Sequence, residues 1–250
     1  MTTLCSIGTS HPWNIAGIGL DARVAARLGG RHVAVLAGVS AQGGGVFAAA
    51  PIAPALIRAQ FEALADAGID AYRVGLLLDA ASIECVAELL RNVPQPVVCD
   101  PVLAGSDGHA FVGDDAVRAL RSLFGVCTLV TPNLAEASAL SGFPVNDRAT
   151  MAGAAHTLVE RNGARAALVT GGHLEAEATD VLYGDGRTVV FDGTRLATSM
   201  RGTGCVLATA IAIGLARGDA LIDAIERGRA LVRDAIAHAA EWDGQRVWPW

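Results

Sequence analysis

PVVCDPVLAGSDGHAFVGDDAVRALRSLFGVCTLVTPNLAEA, residues 96–137, decides the fold. Two short apolar runs, 96–99 and 127–131, each end on a polar turn, and the stretch between them is long enough for a helix. Strand, loop, helix and second strand in that order make a βαβ unit, whose strands lie parallel beneath a covering helix. The alternation recurs in both directions, with strands read at 4–8, 32–37, 72–77 and 165–170. An α/β chain is therefore expected, with a central, mostly parallel β-sheet flanked by helices on both faces.

Between the strands, residues 55–68 place Leu56, Ile57, Phe61 and Leu64 on one stripe and are expected to run as a helix to Gly68. Residues 81–94 repeat the plan, with Pro94 barring continuation. After Thr170 the pattern changes: 180–193 reads as a hairpin turning at Asp185-Gly186. Two helices, 204–217 and 219–240, then close the chain, and the tail EWDGQRVWPW reads as a loop. No repeat or linker interrupts residues 1–250, so a single domain is expected.

Hydrophobic residues make up 52% of the chain and charged ones 18%, which supports a sizeable core and argues against disorder. The net charge is -6 with the acidic residues dispersed, so there is no footprint for nucleic acid or an anionic membrane surface. A small-molecule partner is expected instead. All 19 basic residues are arginines, and the lack of lysine excludes Schiff-base chemistry and a P-loop lysine. Cys5, Cys85, Cys99, Cys127 and Cys205 are odd in number and show no CxxC spacing, which suits reduced thiols; the first four read as core filler. With no basic leader and no window of roughly 20 apolar residues, a cytoplasmic protein is expected.

Ligands of open α/β sheets collect beyond the carboxyl ends of the strands. There the chain places Asp100-Pro101 after 96–99, Thr131-Pro132-Asn133 with Glu136 after 127–131, and Thr170-Gly171-Gly172 after 165–170. Singly these suit turns and helix caps. Together they suit a magnesium ion held partly through water beside a phosphate chain. RGTGCVLATAIAIGLARG (201–218) adds a Gly-Thr-Gly-Cys turn before an apolar helix. Gly202 and Gly204 allow a tight turn, and the free N–H groups at the helix start form an anion cradle that needs no lysine. A thiol at such a terminus is expected to have a lowered pKa, so that Cys205 can accept a proton from a substrate hydroxyl.

With DPV, NLAEA, TGGH and GTGC in this order, the chain resembles the ribokinase-like superfamily. Within it, the chain is most similar to the hydroxymethylpyrimidine and hydroxymethylpyrimidine-phosphate kinases of thiamin biosynthesis, over nearly its whole length. The resemblance implies a ribokinase-like fold, ATP and Mg2+ as cofactors, and phosphorylation of 4-amino-5-hydroxymethyl-2-methylpyrimidine, its monophosphate, or both. It assigns catalysis to Gly202, Thr203, Gly204 and Cys205, and the substrate pocket to Gly8, Ala16, Gln42, Leu76, Asp100 and Val102. ATP and its phosphates fall to Asn133, Thr170, Gly172 and Arg201, and the metal to Glu136. Relatives of this kind associate, which implies a homodimer.

The departures from the family pattern fall in its loops. The first reads GTSHPWNIAGIGLD, with His11, Trp13 and Asn14 in place of small residues; Arg201 replaces a histidine, and Ser106 and Thr170 replace lysines. Losing two positive charges weakens ATP binding unless arginines such as Arg201 take their place. The altered loop keeps pyridoxal kinase, or another small-molecule kinase of the superfamily, as an alternative. The missing lysines keep a non-catalytic pyrimidine- or nucleotide-binding regulator as a second. GIGLDA (17–22) matches a dinucleotide fingerprint, but no acidic residue follows the second strand to hold a ribose, so an oxidoreductase is set aside.

Overall fold

The computed structural model describes residues 1–43, 46–105, 110–172 and 178–248. The chain runs β1 (Thr3–Ser10), α1 (Gly17–Arg27), β2 (Arg31–Gly43), β3 (Val46–Pro51), α2 (Pro54–Glu62), β4 (Ala71–Val74), α3 (Ala80–Leu90) and β5 (Val97–Cys99). It continues through α4 (Asp114–Phe124), β6 (Leu129–Val130), α5 (Leu134–Ser141), α6 (Arg148–Glu160), β7 (Ala166–Gly171), β8 (Thr179–Gly184) and β9 (Arg187–Phe191). It closes with α7 (Thr203–Ala216), α8 (Leu221–Ala237), β10 (Ala240–Trp242) and β11 (Gln245–Val247).

Nine strands form one sheet in the order β3-β2-β1-β4-β5-β6-β7-β8-β9. The pairings from β2 through β7 are parallel, and β3, β8 and β9 add antiparallel edges. Alternate side chains feed two layers, as a period of two requires. In β1, Cys5 and Ile7 join the core shared with α2 through α6, while Leu4 faces the core built by α7 and α8. From β1 the chain crosses first to β2 on one side and later to β4 on the other, so the connectivity reverses between β1 and β4. Such a reversal opens a crevice at the carboxyl ends of those strands.

The expected α/β architecture, the six parallel strands, the hairpin turning at Asp185-Gly186 and the four core cysteines are all present. Several boundaries differ. α2 ends at Glu62, not Gly68: Leu64, Ala65 and Ala67 donate to carbonyls three residues back, so the chain tightens into turns before Gly68 reverses it at φ +62°. Leu56 of the expected stripe points outward. α3 stops at Leu90, ahead of Pro94, and β4 stops at Val74. β2 runs on to Gly43 and pairs with β3, which sequence reading missed because its alanine-rich face is exposed throughout and carries no alternation. The closing helices are 203–216 and 221–237. The tail read as a loop is a β10–β11 hairpin, turned by Asp243-Gly244, with both φ angles positive. Among the described residues, no helix is long and apolar enough to cross a membrane.

Candidate active site

At the carboxyl ends of β1 and β4 the structure brings Gly8 beside Leu76, two of the residues expected in the substrate pocket. A Cβ on Gly8 would sit 3.5 Å from the Leu76 carbonyl oxygen, to which the Thr9 hydroxyl donates at 2.9 Å. The loop 11–16 folds back over this edge and meets the Gly-Thr-Gly-Cys turn. Gly202 adopts φ +84°, and a Cβ there would lie 2.6 Å from the Ile15 carbonyl oxygen, so only glycine lets loop and turn close on each other. Ala16 precedes Gly17, whose N–H faces the Cys205 thiol.

Gly202 is the N-cap of α7, and no side chain caps that terminus. The first intrahelical bond runs from Val206 N–H to the Gly202 carbonyl at 3.0 Å. The N–H groups of Thr203, Gly204 and Cys205 lie ahead of it, as an anion cradle requires. Asp100 lies against this turn, both carboxylate oxygens 3.4 Å from where a Gly204 Cβ would be.

A buried charge network supports the cradle, and sequence reading missed it. Arg73, on β4 and 1% exposed, donates from Nη1 to Asp21 at 3.2 Å and from Nη2 to Asp100 at 2.6 Å. Thr209 Oγ1 on α7 donates to the other oxygen of Asp21 at 2.9 Å. The guanidinium also reaches the Cys205 sulfur. Burial alone would lower its pKa, but Asp21, Cys205 and Asp100 outweigh burial and hold it charged. A Cβ on Gly75 would stand 2.1 Å from Arg73 Nη1, so the glycine after β4 makes room for the fork. The signal was a lone arginine in an apolar strand, which demands carboxylate partners once buried.

Burial at this place reverses one expectation. Burial pushes the Cys205 thiol up to about 11, and Asp100 and Asp21 add to that push, against Arg73 and the Gly17 N–H. The helix terminus does not lower it, because desolvation in this enclosed place outweighs the dipole.

Along the same edge, Asn133 and Glu136 form a capping box: Asn133 Oδ1 accepts from Glu136 N–H at 3.0 Å, and Glu136 Oε2 accepts from Asn133 N–H at 2.8 Å. The Leu103 N–H also donates to Glu136. Burial and then Asp100 nevertheless push its carboxyl up to about 8. Thr170 bridges to Asn133, its N–H donating to the Pro132 carbonyl at 2.8 Å, and a Cβ on Gly172 would meet none of the described residues within 4 Å. Val102 follows Asp100 on the loop that leads to Leu103. Ser106 and His173 lie outside the described residues.

Gln42, at the end of β2, and Arg201 meet, Arg201 Nη2 donating to Gln42 Oε1 at 2.6 Å. The β10–β11 hairpin closes the same corner, with Trp242 stacked on Trp13 at 5.9 Å between ring centres. His11 is buried, and the Trp13 N–H donates to its Nδ1 at 3.2 Å. Burial and then Arg201 lower its pKa to about 4 from an ordinary 6.5, so folding favours the neutral ring. Between those values the unfolded chain binds more protons, and the stability contributed above pH 6.5 is lost as the pH falls toward 4. Urea unfolding should show that loss, and His11→Gln should flatten it. Identical slopes in the two proteins would mean that His11 titrates normally.

Comparison with known proteins gives the family and the fold. The family profile described as phosphomethylpyrimidine kinase matches residues 13–249. The hydroxymethylpyrimidine/phosphomethylpyrimidine kinase of Rhizobium meliloti is 37% identical, with 94% of this chain and 90% of that protein covered. The enzyme of that name from Streptomyces coelicolor is 36% identical, covering 88% and 83%. Among solved structures, the ADP complex of Bacillus subtilis pyridoxal kinase superposes with a TM-score of 0.90 at 28% identity, covering 99% and 97%.

Proposed function

Because the chain belongs to the phosphomethylpyrimidine kinase family, we propose that it transfers the ATP γ-phosphoryl group to 4-amino-5-hydroxymethyl-2-methylpyrimidine, to its monophosphate, or to both in succession. The observation that carries this reading is the uncapped start of α7: three backbone N–H groups beside a buried thiol, at the point where the sheet reverses its connectivity.

Each group has a task on this reading. The N–H groups of Thr203, Gly204 and Cys205 hold the anionic oxygens of the phosphoryl group in transit. Cys205, in its thiolate form, takes the proton of the attacking hydroxyl, and Arg73 keeps Asp100 and Cys205 in place beneath the turn. Gln42 reads the pyrimidine edge, with Gly8, Ala16, Leu76 and Val102 shaping the pocket. Asn133, Thr170 and Gly172 line the edge where the nucleotide phosphates lie.

The donor set fits magnesium: Glu136 is a buried carboxyl held near Asp100, and a divalent cation beside the two offsets their mutual repulsion. When bound, the ion neutralises charge developing on the phosphate oxygens. Glu136→Gln should raise the magnesium concentration needed for half-maximal turnover several-fold. An identical titration would leave Glu136 as a helix cap alone.

The test is magnesium-dependent ATP consumption with the pyrimidine alcohol, its monophosphate, pyridoxal and simple sugars in parallel. Turnover confined to the two pyrimidines supports the reading, and turnover on none overturns it. The likeness to Bacillus subtilis pyridoxal kinase favours one second reading, phosphorylation of pyridoxal, which the same panel decides.

A further inference from the structure

Arg201 stands beside the start of α7 in sequence, and its side chain links Gln42 to the C-terminal hairpin. Nη2 donates to Gln42 Oε1 at 2.6 Å and Nη1 to Gln245 Oε1 at 3.2 Å, while its backbone N–H donates to the Arg246 carbonyl at 2.9 Å. Gln42 Nε2 donates in turn to Ser40 Oγ at 3.1 Å, and the Ser40 hydroxyl donates to the Ser10 carbonyl at 2.7 Å. One polar chain thus crosses the substrate corner from the end of β1, through β2 and Arg201, to the C-terminal hairpin.

This chain fixes the polarity of the Gln42 amide from both ends. A guanidinium carries only donors, so the amide oxygen must face Arg201. The Ser40 hydroxyl has spent its proton on Ser10, so its oxygen accepts, and the amide nitrogen must face Ser40. The amide keeps one N–H and one oxygen lone pair for a ligand, in an order that cannot reverse without breaking both bonds. The bond to a charged donor is also the stronger kind.

We propose that Arg201 is a positioning residue for the acceptor substrate: held by Gln245 and the β10–β11 hairpin, it orients Gln42 toward a heteroaromatic edge that carries an acceptor nitrogen beside an amino donor. This rests on the pyrimidine reading above, and it moves Arg201 from the nucleotide end of the site to the acceptor end. The hairpin thereby becomes a wall of the substrate site.

A double-mutant cycle tests it, with KM for the pyrimidine alcohol, its monophosphate and ATP measured in wild type, Arg201→Met, Gln42→Leu and the double variant. Each single change should raise both pyrimidine KM values about tenfold or more, with ATP KM within about twofold. The double variant should be no worse than Gln42→Leu, because Arg201 acts through that amide. Arg201→Lys, which keeps the charge but not the fork, should fall between wild type and Arg201→Met. The proposal is overturned by losses that multiply in the double variant, by a rise confined to ATP KM or to the monophosphate, or by Arg201→Met matching wild type. If wild type phosphorylates neither pyrimidine, the functional reading fails and takes this one with it; an active wild type with independent losses overturns this one alone.

Discussion

Replacing Cys205 by alanine is expected to lower kcat by about 10²-fold or more while pyrimidine affinity stays within about twofold. The thiol is 8% exposed and lies at the start of α7, beside the N–H groups assigned to the phosphoryl group, so its loss removes little binding surface. Its role lies in the transition state, when the attacking hydroxyl gives up its proton. Burial holds the thiol at about 11, so only a small thiolate fraction exists at neutral pH, and that fraction grows about tenfold per pH unit below that value. Turnover by the intact protein should therefore climb between pH 7 and 9, and the alanine variant should lose the climb. An unchanged rate, or an unchanged pH slope in the variant, would remove Cys205 from the proton transfer.

Arg73→Met is expected to destabilise the fold by about 3–5 kcal/mol in urea unfolding at pH 7, because it strips the shared partner from two buried carboxylates. Asp21 is fully buried and Asp100 is 5% exposed, and burial already pushes Asp100 above its ordinary value against the pull of Arg73. Domains of this size are stable by roughly 5–15 kcal/mol, so the variant should lose a large part of the total. Arg73→Lys should cost less, since a single ammonium keeps the charge but cannot fork to Asp21 and Asp100 together. A loss under about 1 kcal/mol for Arg73→Met would mean that the triad is not what holds α1, β4 and the end of β5 together.

The sheet and its helices were legible because burial on both faces writes itself as short Val, Ile and Leu runs between helical stripes. β3 was not, since its exposed alanines alternate with nothing. The β10–β11 hairpin was half legible: Asp243-Gly244 carries the turn signal that identified the 180–193 hairpin, but strands of three residues give too little pattern beside it. At the site, residues at strand ends could be named from their place in the chain. The chemistry of Cys205 could not, because burial sets it, with Arg73, Asp100 and Asp21 brought beside it from three distant segments. Gln42 and Arg201 are 159 positions apart, and no spacing rule joins them.

Transfer of a phosphoryl group to an aminopyrimidine alcohol can be read from phosphorus NMR of the products. Magnesium, ATP and 4-amino-5-hydroxymethyl-2-methylpyrimidine should yield ADP together with a phosphomonoester resonance coupled to the hydroxymethyl protons, or a diphosphate ester if the second transfer follows. ATP left intact, or converted to ADP and inorganic phosphate with the pyrimidine unchanged, would contradict it.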